Sequence, residues 1–257
     1  MSTATSGLAF GARNEAYRTF RITYPEHLFD IIDEAGANMR RRLAVDLGSG
    51  TGISTKPLLE RFERVVAVEP DSRMAEKIER NERLLVEVRP SEELEIESRS
   101  VDLITSATAF YWMDGPKVIQ RMSDWLHEDG LVAVYRYALP VLPDPLAILI
   151  DREFQSHWNV FRNQRLLDEE YSWRCFQESN LFKNKDRRLV ANRVSMNWRT
   201  FVGFFGSTSY VGAYLRSIDN PESYIGSLEE EVRGSMGEDA FSVDFPTELI
   251  LASAPQR

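Results

Sequence analysis

Residues 43–52 read L-A-V-D-L-G-S-G-T-G, and this stretch decides the fold that the sequence predicts. Strand-forming residues occupy alternate positions up to Leu47, after which the chain has glycine at positions 48, 50 and 52. Beyond the glycines, apolar residues from Ile53 to Phe62 recur at helical spacing. The stretch therefore predicts a β-strand, a tight glycine loop and an α-helix in succession.

The glycine loop predicts a place where a ligand approaches the backbone closely. Glycine accepts positive φ angles and has no side chain to keep a ligand away. The start of the following helix also offers unpaired N–H groups and a partial positive charge. A carboxylate or a phosphate group is therefore expected to bind well at this loop.

A second predicted strand, residues 65–68, leads directly into Glu69. Glu69 follows Gly50 by 19 residues, about the separation at which a nucleotide-binding unit places a carboxylate on ribose hydroxyls. A dinucleotide-binding G-x-G-x-x-G pattern counted from Gly48 requires a glycine at position 53, where this chain has Ile53. The spacing therefore indicates a nucleoside pocket and disfavours a dinucleotide.

Two motifs carry a specific resemblance. V-D-L-G-S-G-T-G at 45–52 and V-V-A-V-E-P-D at 65–71 resemble motifs I and II of the class I S-adenosylmethionine-dependent methyltransferases. In that family the glycine loop cradles the methionine part of the cofactor, and the acid after the second strand takes the ribose. The resemblance implies S-adenosyl-L-methionine as the cofactor. The residues it assigns to this cofactor are Asp46, Gly48, Ser49, Gly50, Gly52, Glu69 and Pro70, with Ser72 and Met74 beside the adenine edge.

Two later loops also resemble that family. R-P-S-E-E-L-E-I at 89–96 is similar to its D-A-E-x-L loop beside the adenine, but Pro90 stands where an acidic contact is often found, so Ser91 and Glu92 are the candidates. S-A-T-A-F-Y-W-M-D at 106–114 resembles its A-F-H-W-F-D loop, with Tyr111 replacing histidine. Because open α/β sheets bind ligands at the carboxyl ends of their strands, the residues expected to face the cofactor and the acceptor are Thr108, Tyr111 and Trp112.

The N-terminal segment predicts a lid. Y-R-T-F-R-I-T-Y-P at 17–25 resembles the Y…R-P-x-Y-P segment of methyltransferases similar to trans-aconitate methyltransferase, with Ile22 where proline is usual. In such enzymes this segment lies over the cofactor, so Tyr17 and Arg21 are lid candidates, with plain packing as the alternative. W-R-T-F-V-G-F-F-G-S-T-S-Y at 198–210 resembles a helix and turn of the same group.

Two further residues are candidates for the acceptor site. Arg136 is expected at the far end of the fifth strand, on the ligand-binding edge of the sheet. His157 belongs to an aromatic-rich region, 140–182, that either covers an acceptor pocket or packs on the core. His127 precedes the fifth strand and is expected at the opposite edge. The candidates for the catalytic site are thus Tyr17, Tyr111, Trp112, Arg136 and His157.

The resemblance implies an α/β fold: a Rossmann-like, doubly wound, seven-stranded sheet of order 3-2-1-4-5-7-6, with strand 7 antiparallel and a helical lid. The expected domains are an N-terminal lid (1–35), a cofactor-binding core (36–139), a helical cap that forms the acceptor region and holds a further core strand (140–240), and a closing strand of the core (241–257).

Composition limits the partners. The 257 residues carry a formal charge of −9, and this argues against a nucleic-acid partner, which normally requires a basic surface. The longest apolar region, 131–150, is interrupted by Arg136 and three prolines, so no membrane span is expected. Because no secretory signal is recognised, we expect a cytoplasmic protein. Cys175 is the single cysteine, so no internal disulfide can form. The expected state is a monomer or a homodimer.

The expected reaction is direct attack of an acceptor atom on the sulfonium methyl group, with alignment and a dry pocket supplied by the protein. No metal is expected, because His27, His127, His157 and the acids show no ligand spacing. O-Methylation of a small carboxylate or hydroxyl compound is named first. N- or C-methylation of a natural product, a cyclase that binds the cofactor without net methyl transfer, a regulatory binding module and a dinucleotide oxidoreductase remain alternatives.

Overall fold

The computed structural model describes residues 19–237 and 240–255. The strands, in chain order, are β1 (Leu43–Leu47), β2 (Arg64–Val68), β3 (Leu84–Glu87), β4 (Val101–Ala107), β5 (Leu126–Tyr137), β6 (Phe182–Val190), β7 (Arg193–Met196), β8 (Phe241–Asp244) and β9 (Thr247–Pro255). The α-helices are α1 (Glu26–Ala35), α2 (Thr55–Arg61), α3 (Ser72–Ala75), α4 (Gly115–Trp125), α5 (Asp144–Glu153), α6 (Gln164–Leu167), α7 (Tyr171–Glu178), α8 (Trp198–Gly206), α9 (Ser209–Leu215) and α10 (Pro221–Met236).

Seven strands form one sheet in the order β3-β2-β1-β4-β5-β9-β6. The first five are mutually parallel, and β9 runs antiparallel to both β5 and β6. Counting only the strands of this sheet along the chain, the order is 3-2-1-4-5-7-6 with the seventh strand antiparallel. The predicted Rossmann-like fold class is confirmed.

The sheet has an apolar core on each face. Val45, Ile104 and Val132 belong to one core, together with residues of α4 and α7. Leu103 and Ala133 belong to the other, which includes the apolar side of α1. Since helices cover both faces, the central strands are buried on both sides, as expected for a parallel sheet.

The described residues divide into two compact units. The sheet unit comprises Thr23–Ala138, Asp168–Val190 and residues 247–255. The helical unit comprises residues 19–22, Leu139–Leu167 and Ala191–Pro246, within its described part. Helices α1 and α7 pack on the sheet, and β8 does not pair with it. The predicted domains stay a prediction.

The helical unit contains α5, α6, α8, α9 and α10 and the antiparallel ribbon of β7 and β8. Helix α8 begins with a reciprocal cap: the Asn197 side chain accepts a hydrogen bond from the Thr200 amide at 2.9 Å, and the Thr200 hydroxyl accepts one from the Asn197 amide at 3.0 Å. Such a cap satisfies two amides that a helix start leaves unpaired. None of the helices among the described residues has the length and the apolar character needed to cross a membrane.

Two segments depart from the structure that their local residue pattern predicts. The sequence H-E-D-G at 127–130 is typical of a turn before a strand, but it forms an irregular part of the long strand β5, where the register shifts between the pairs Val101–Leu126 and Leu103–Leu131. Residues 187–197 alternate enough to predict one strand, but they form parts of two strands, β6 and β7, which join different sheets. Asp102, near the start of β4, accepts hydrogen bonds from the amides of Arg42 and Leu43 at 2.7 and 3.0 Å.

Candidate functional site

The candidate cofactor residues follow the carboxyl ends of four neighbouring parallel strands. The loop 48–52 follows β1, and Glu69 follows β2. Ser91 and Glu92 come shortly after β3, and Thr108 comes directly after β4. Because these strands are parallel, the four segments leave the sheet at the same edge, where open α/β sheets bind their ligands.

The glycine loop adopts a backbone that requires glycine. Gly48, Gly50 and Gly52 have φ angles of 70°, 58° and 89°, which side chains rarely tolerate. The amides of Gly48 and Ser49 both donate to the Val68 carbonyl, at 2.8 and 3.0 Å, and so join the loop to the end of β2. A Cβ atom on Gly48 would lie 2.4 Å from the Cβ of Ala109. The loop is thus closely packed against the segment that follows β4.

Asp46 lies beneath the loop and is fully buried. Its carboxylate accepts hydrogen bonds from the hydroxyls of Ser54 and Thr55, each at 2.7 Å, and of Thr105 at 3.0 Å. Burial raises the pKa of Asp46, and the three hydroxyls oppose that shift. These partners were not predicted from the sequence, because Thr105 is opposite Asp46 in the β1–β4 ladder and only the strand register reveals this.

Glu69 connects the end of β2 to the glycine loop. Its Oε2 atom accepts a hydrogen bond from the Gly50 amide at 2.9 Å, and its Oε1 atom accepts one from the Asp71 amide, also at 2.9 Å. Desolvation by burial raises the pKa of Glu69, while these two amides lower it. An ionised carboxylate offers about four acceptor positions, so about two remain for the hydroxyl groups of a ligand.

Three hydroxyl groups at this edge of the sheet are buried without a hydrogen-bond partner among the described residues. Those of Ser49 and Thr51 lie in the loop, and that of Ser91 follows β3. Buried polar atoms in folded proteins normally have a partner, so these unsatisfied hydroxyls fit a bound polar ligand. Ser49 and Ser91 were predicted to bind the cofactor; Thr51 was not, although it lies between Gly50 and Gly52.

The remaining cofactor candidates lie in less enclosed positions. Pro70 and Ser72 are exposed, and Met74 in the one-turn helix α3 is half-buried. Glu92 accepts a hydrogen bond from the amide of Asp114 at 2.8 Å and so supports the start of α4. Pro90 precedes the short helical turn Ser91–Glu93.

Thr108 has a strained backbone. Its φ angle is +52°, an outlying value for a β-branched residue, and its amide donates to the Tyr135 carbonyl at 2.7 Å. Its hydroxyl shares a hydrogen bond of 2.7 Å with the hydroxyl of Tyr24, whose ring stands edge-on to the Tyr135 ring with centroids 4.7 Å apart. Strained residues that surrounding contacts hold in place cluster at functional sites. No site role for Tyr24 was predicted from the sequence.

Three candidates for the acceptor site come together in the sheet unit. The guanidinium of Arg136 lies over the ring of Tyr111, 4.6 Å from its centroid, and the ring centroids of Tyr111 and Trp112 are 5.2 Å apart. Tyr111 is buried, whereas the side chain of Trp112 is 41% exposed. Arg136 lies opposite Glu248 in the β5–β9 ladder. The Glu248 carboxylate forms an ion pair with Arg187.

His157 belongs to the helical unit. Its ring stacks on Tyr214 with centroids 5.0 Å apart, and its Nε2 atom is 4.0 Å from the Glu153 carboxylate. Glu153 is buried and also accepts hydrogen bonds from Tyr224 and Arg152.

The two candidates in the predicted lid have different outcomes. Arg21, in the helical unit, donates to the Ser207 carbonyl at 3.2 Å and lies over the Phe204 ring. Tyr17 lies outside the described residues.

Comparisons with known proteins agree with this arrangement. Residues 45–134, which include the glycine loop, Glu69 and Thr108, match the family model described as a methyltransferase domain. The chain is 26% identical over 253 residues to a proposed methyltransferase of Dictyostelium discoideum, covering 95% of this chain and 94% of that protein. It is 33% identical over 148 residues to a probable S-adenosylmethionine-dependent methyltransferase of Saccharomyces cerevisiae, covering 54% of this chain and 50% of that protein. The second match thus spans about half of the yeast protein.

A solved structure shares the whole fold. The proposed type II methyltransferase from Anaeromyxobacter dehalogenans superposes with a TM-score of 0.75 at 22% identity, covering 93% of this chain and all of that one (100%). At this identity the likeness bears on the fold alone. It extends across nearly the full length of the chain.

Proposed function

We propose that the chain is a class I S-adenosylmethionine-dependent methyltransferase, as the match of residues 45–134 to a methyltransferase domain supports, and that it methylates an oxygen atom of a small molecule, either a carboxylate or a hydroxyl. The observation that carries the oxygen assignment is the guanidinium of Arg136 on the Tyr111 ring, at the end of β5. A cation at this edge attracts an anionic acceptor.

The chain's own residues fit S-adenosylmethionine. The positive-φ loop brings backbone close to a ligand, and the Ser49 and Thr51 hydroxyls there have no partner among the described residues. Glu69 retains acceptor positions for the ribose hydroxyls, and the unsatisfied Ser91 hydroxyl lies beyond the neighbouring strand. When bound, this cofactor supplies an electrophilic methyl group on a sulfonium centre. The cofactor contacts of four further residues stay predictions: Pro70, and, on the adenine side, Ser72, Met74 and Glu92.

The protein's contribution to the reaction is alignment. Thr108, held by Tyr24, fixes the start of the segment that carries Tyr111 and Trp112. The buried Tyr111 ring and the half-buried Arg136 orient the acceptor and limit its contact with water. Alignment and exclusion of water together are worth up to about 7–11 kcal/mol of a reaction barrier.

A carboxylate acceptor suits a site of this kind because it is already a nucleophile and needs no base. Arg136 would bind one oxygen through a charge-assisted hydrogen bond, leaving the other to attack. A hydroxyl acceptor must lose its proton, and His157 stays the proposed group for that step. The role of Tyr17 in a lid over the cofactor stays a proposal. The cytoplasmic location, the state as a monomer or homodimer and the likeness to the trans-aconitate methyltransferase group also stay proposals.

The test has two stages. Calorimetric titration with S-adenosylmethionine and S-adenosylhomocysteine measures cofactor binding, and the protein is then incubated with panels of carboxylic acids, phenols, alcohols and amines. We expect S-adenosylhomocysteine and a methyl ester or ether as products. Arg136→Gln should lower kcat/KM for a carboxylate by about 10- to 100-fold, while Arg80→Gln, at an exposed arginine of the sheet unit, leaves it unchanged.

Three outcomes would contradict the proposal. Methylation of amines or ring carbons alone would refute the oxygen assignment. Conversion of an acceptor without release of S-adenosylhomocysteine would favour a cyclase. Cofactor binding with no turnover on any acceptor would favour a regulatory module.

A further inference from the structure

Arg162, in the helical unit, lies against two aromatic rings. Its guanidinium carbon is 5.4 Å from the ring centroid of Phe154 and 5.9 Å from that of Tyr210. Both rings are buried, and their centroids are 5.6 Å apart. The backbone of Arg162 is fixed as well, because its amide donates to the Asn159 carbonyl at 3.1 Å.

The guanidinium of Arg162 has no ionic or hydrogen-bonding partner among the described residues. Its Nε atom is buried and unsatisfied. Arg152 of the same unit shows the contrast, since it forms ion pairs with Glu153 and Glu231, each at 2.8 Å. A buried N–H group without a partner costs free energy, which a ligand that accepts its hydrogen bond recovers.

The chemistry of this group favours one class of ligand. A guanidinium presents a rigid fork of donors that matches a carboxylate, and its contacts with the two adjacent rings hold the fork in place before a ligand arrives. The neighbouring aromatic surfaces favour an apolar or aromatic body attached to that carboxylate. A phosphate, which carries more charge and a larger hydration shell, suits such apolar surroundings less well.

We propose that Arg162, with Phe154 and Tyr210, forms a binding site for the carboxylate group of a small aromatic or apolar acid. The acid is a ligand other than the methyl acceptor, whose carboxylate the proposed function assigns to Arg136 of the sheet unit, and the site does not depend on the proposed reaction. Recognition combines charge-assisted hydrogen bonds to the guanidinium with contacts to the two rings.

Benzoate is the probe for this site. Benzamide serves as its uncharged counterpart, and acetate as the carboxylate without a ring. Binding to the full chain is measured by ligand-observed NMR titration. We expect benzoate to bind more tightly than either comparison compound, because only benzoate offers both the charge and the ring.

Substitutions then test whether benzoate binds at Arg162. Arg162→Gln should weaken benzoate binding at least about tenfold, and Arg162→Lys should weaken it less, because lysine keeps the charge and loses the fork. The exposed Arg216 of the same unit provides the matched control, and Arg216→Gln should leave the affinity unchanged. Thermal unfolding of each variant checks that it is folded.

The outcomes separate this site from the proposed reaction. Benzoate binding that is weakened in Arg162→Gln and kept in Arg136→Gln supports the site, whether or not the protein also methylates benzoate. Equal binding of benzoate and benzamide, equal binding to wild type and Arg162→Gln, or no benzoate binding at all would overturn it. Cofactor titration of Arg162→Gln, expected to match wild type, reports on the methyltransferase assignment independently.

Discussion

The Glu69 carboxylate accepts a hydrogen bond from the Gly50 amide at 2.9 Å, across 19 residues of chain. The bond joins the acid after β2 to the middle of the loop after β1. It exists because the two strands are adjacent and parallel, so that both segments emerge side by side. One residue thus stabilises the loop and offers acceptor atoms to a ligand.

Replacing Glu69 should weaken cofactor binding. Glu69→Ala removes the charged acceptor expected to bind the ribose hydroxyls and releases the Gly50 amide, so we expect a loss of about 1–3 kcal/mol in binding free energy. Calorimetric titration with S-adenosylhomocysteine measures it. The exposed Glu63 is the control, and Glu63→Ala should bind normally. Unchanged affinity in Glu69→Ala would refute the ribose role.

Gly50→Val should abolish cofactor binding. The φ angle of Gly50 is +58°, which valine adopts only with strain, and a side chain there would keep the ligand from the backbone. Gly226→Ala is the matched control, because this helical glycine has open space around its Cβ position. The alanine should raise the free energy of unfolding by about 0.5–1 kcal/mol. A folded Gly50→Val variant with normal affinity would contradict the loop assignment.

The buried Asp46 should make stability depend on pH. Its pKa is raised in the folded protein from 3.8, so between that value and the folded pKa the folded state binds more protons than the unfolded state. The contribution of Asp46 to the free energy of unfolding is therefore greatest below the unfolded pKa and is lost as pH rises through the folded pKa. Asp46→Asn should remove this dependence.

Urea unfolding of wild type and Asp46→Asn across mildly acidic to neutral pH measures the difference. Glu69 and Glu248 also have raised pKa values, so the comparison of the two curves, and not the wild-type curve alone, isolates Asp46. Parallel curves would show that Asp46 ionises with the same pKa in both states.

The hydrogen bond between Tyr24 and Thr108 should appear as a coupling in stability. Tyr24→Phe and Thr108→Val each remove one hydroxyl with little change in shape, and a double-mutant cycle should give about 0.5–1.5 kcal/mol of coupling free energy. As a control, Tyr24→Phe is combined with Ser100→Ala, because the Ser100 hydroxyl donates to the Glu97 carbonyl. The effects of these two substitutions on the free energy of unfolding should be additive. Additive behaviour of the Tyr24 and Thr108 pair would show that their bond contributes nothing.

Much of the fold and part of the candidate site could be predicted from the sequence. The strand, loop and helix of residues 43–62 could be predicted because the periodicity of apolar residues and the conformational freedom of glycine act over a few neighbouring residues. The nearness of Glu69 to the glycine loop could be predicted because the carboxyl ends of neighbouring parallel strands lie at the same edge of a sheet. At 187–197, pairing with two different distant strands outweighs the local pattern, whereas 127–130 continues as an irregular part of β5.

The sequence by itself determined the order of elements, the positive-φ loop and the resemblance to a methyltransferase, because these depend on neighbouring residues and on fixed motif spacings. Only the tertiary structure decided that Thr105 supports Asp46, that Tyr24 holds Thr108 and that Arg136 covers Tyr111. It also decided that Arg162 lies against two aromatic rings with no ionic partner among the described residues. Such contacts join residues far apart in the chain. Their distances depend on strand register and side-chain packing, which no local pattern of residues specifies.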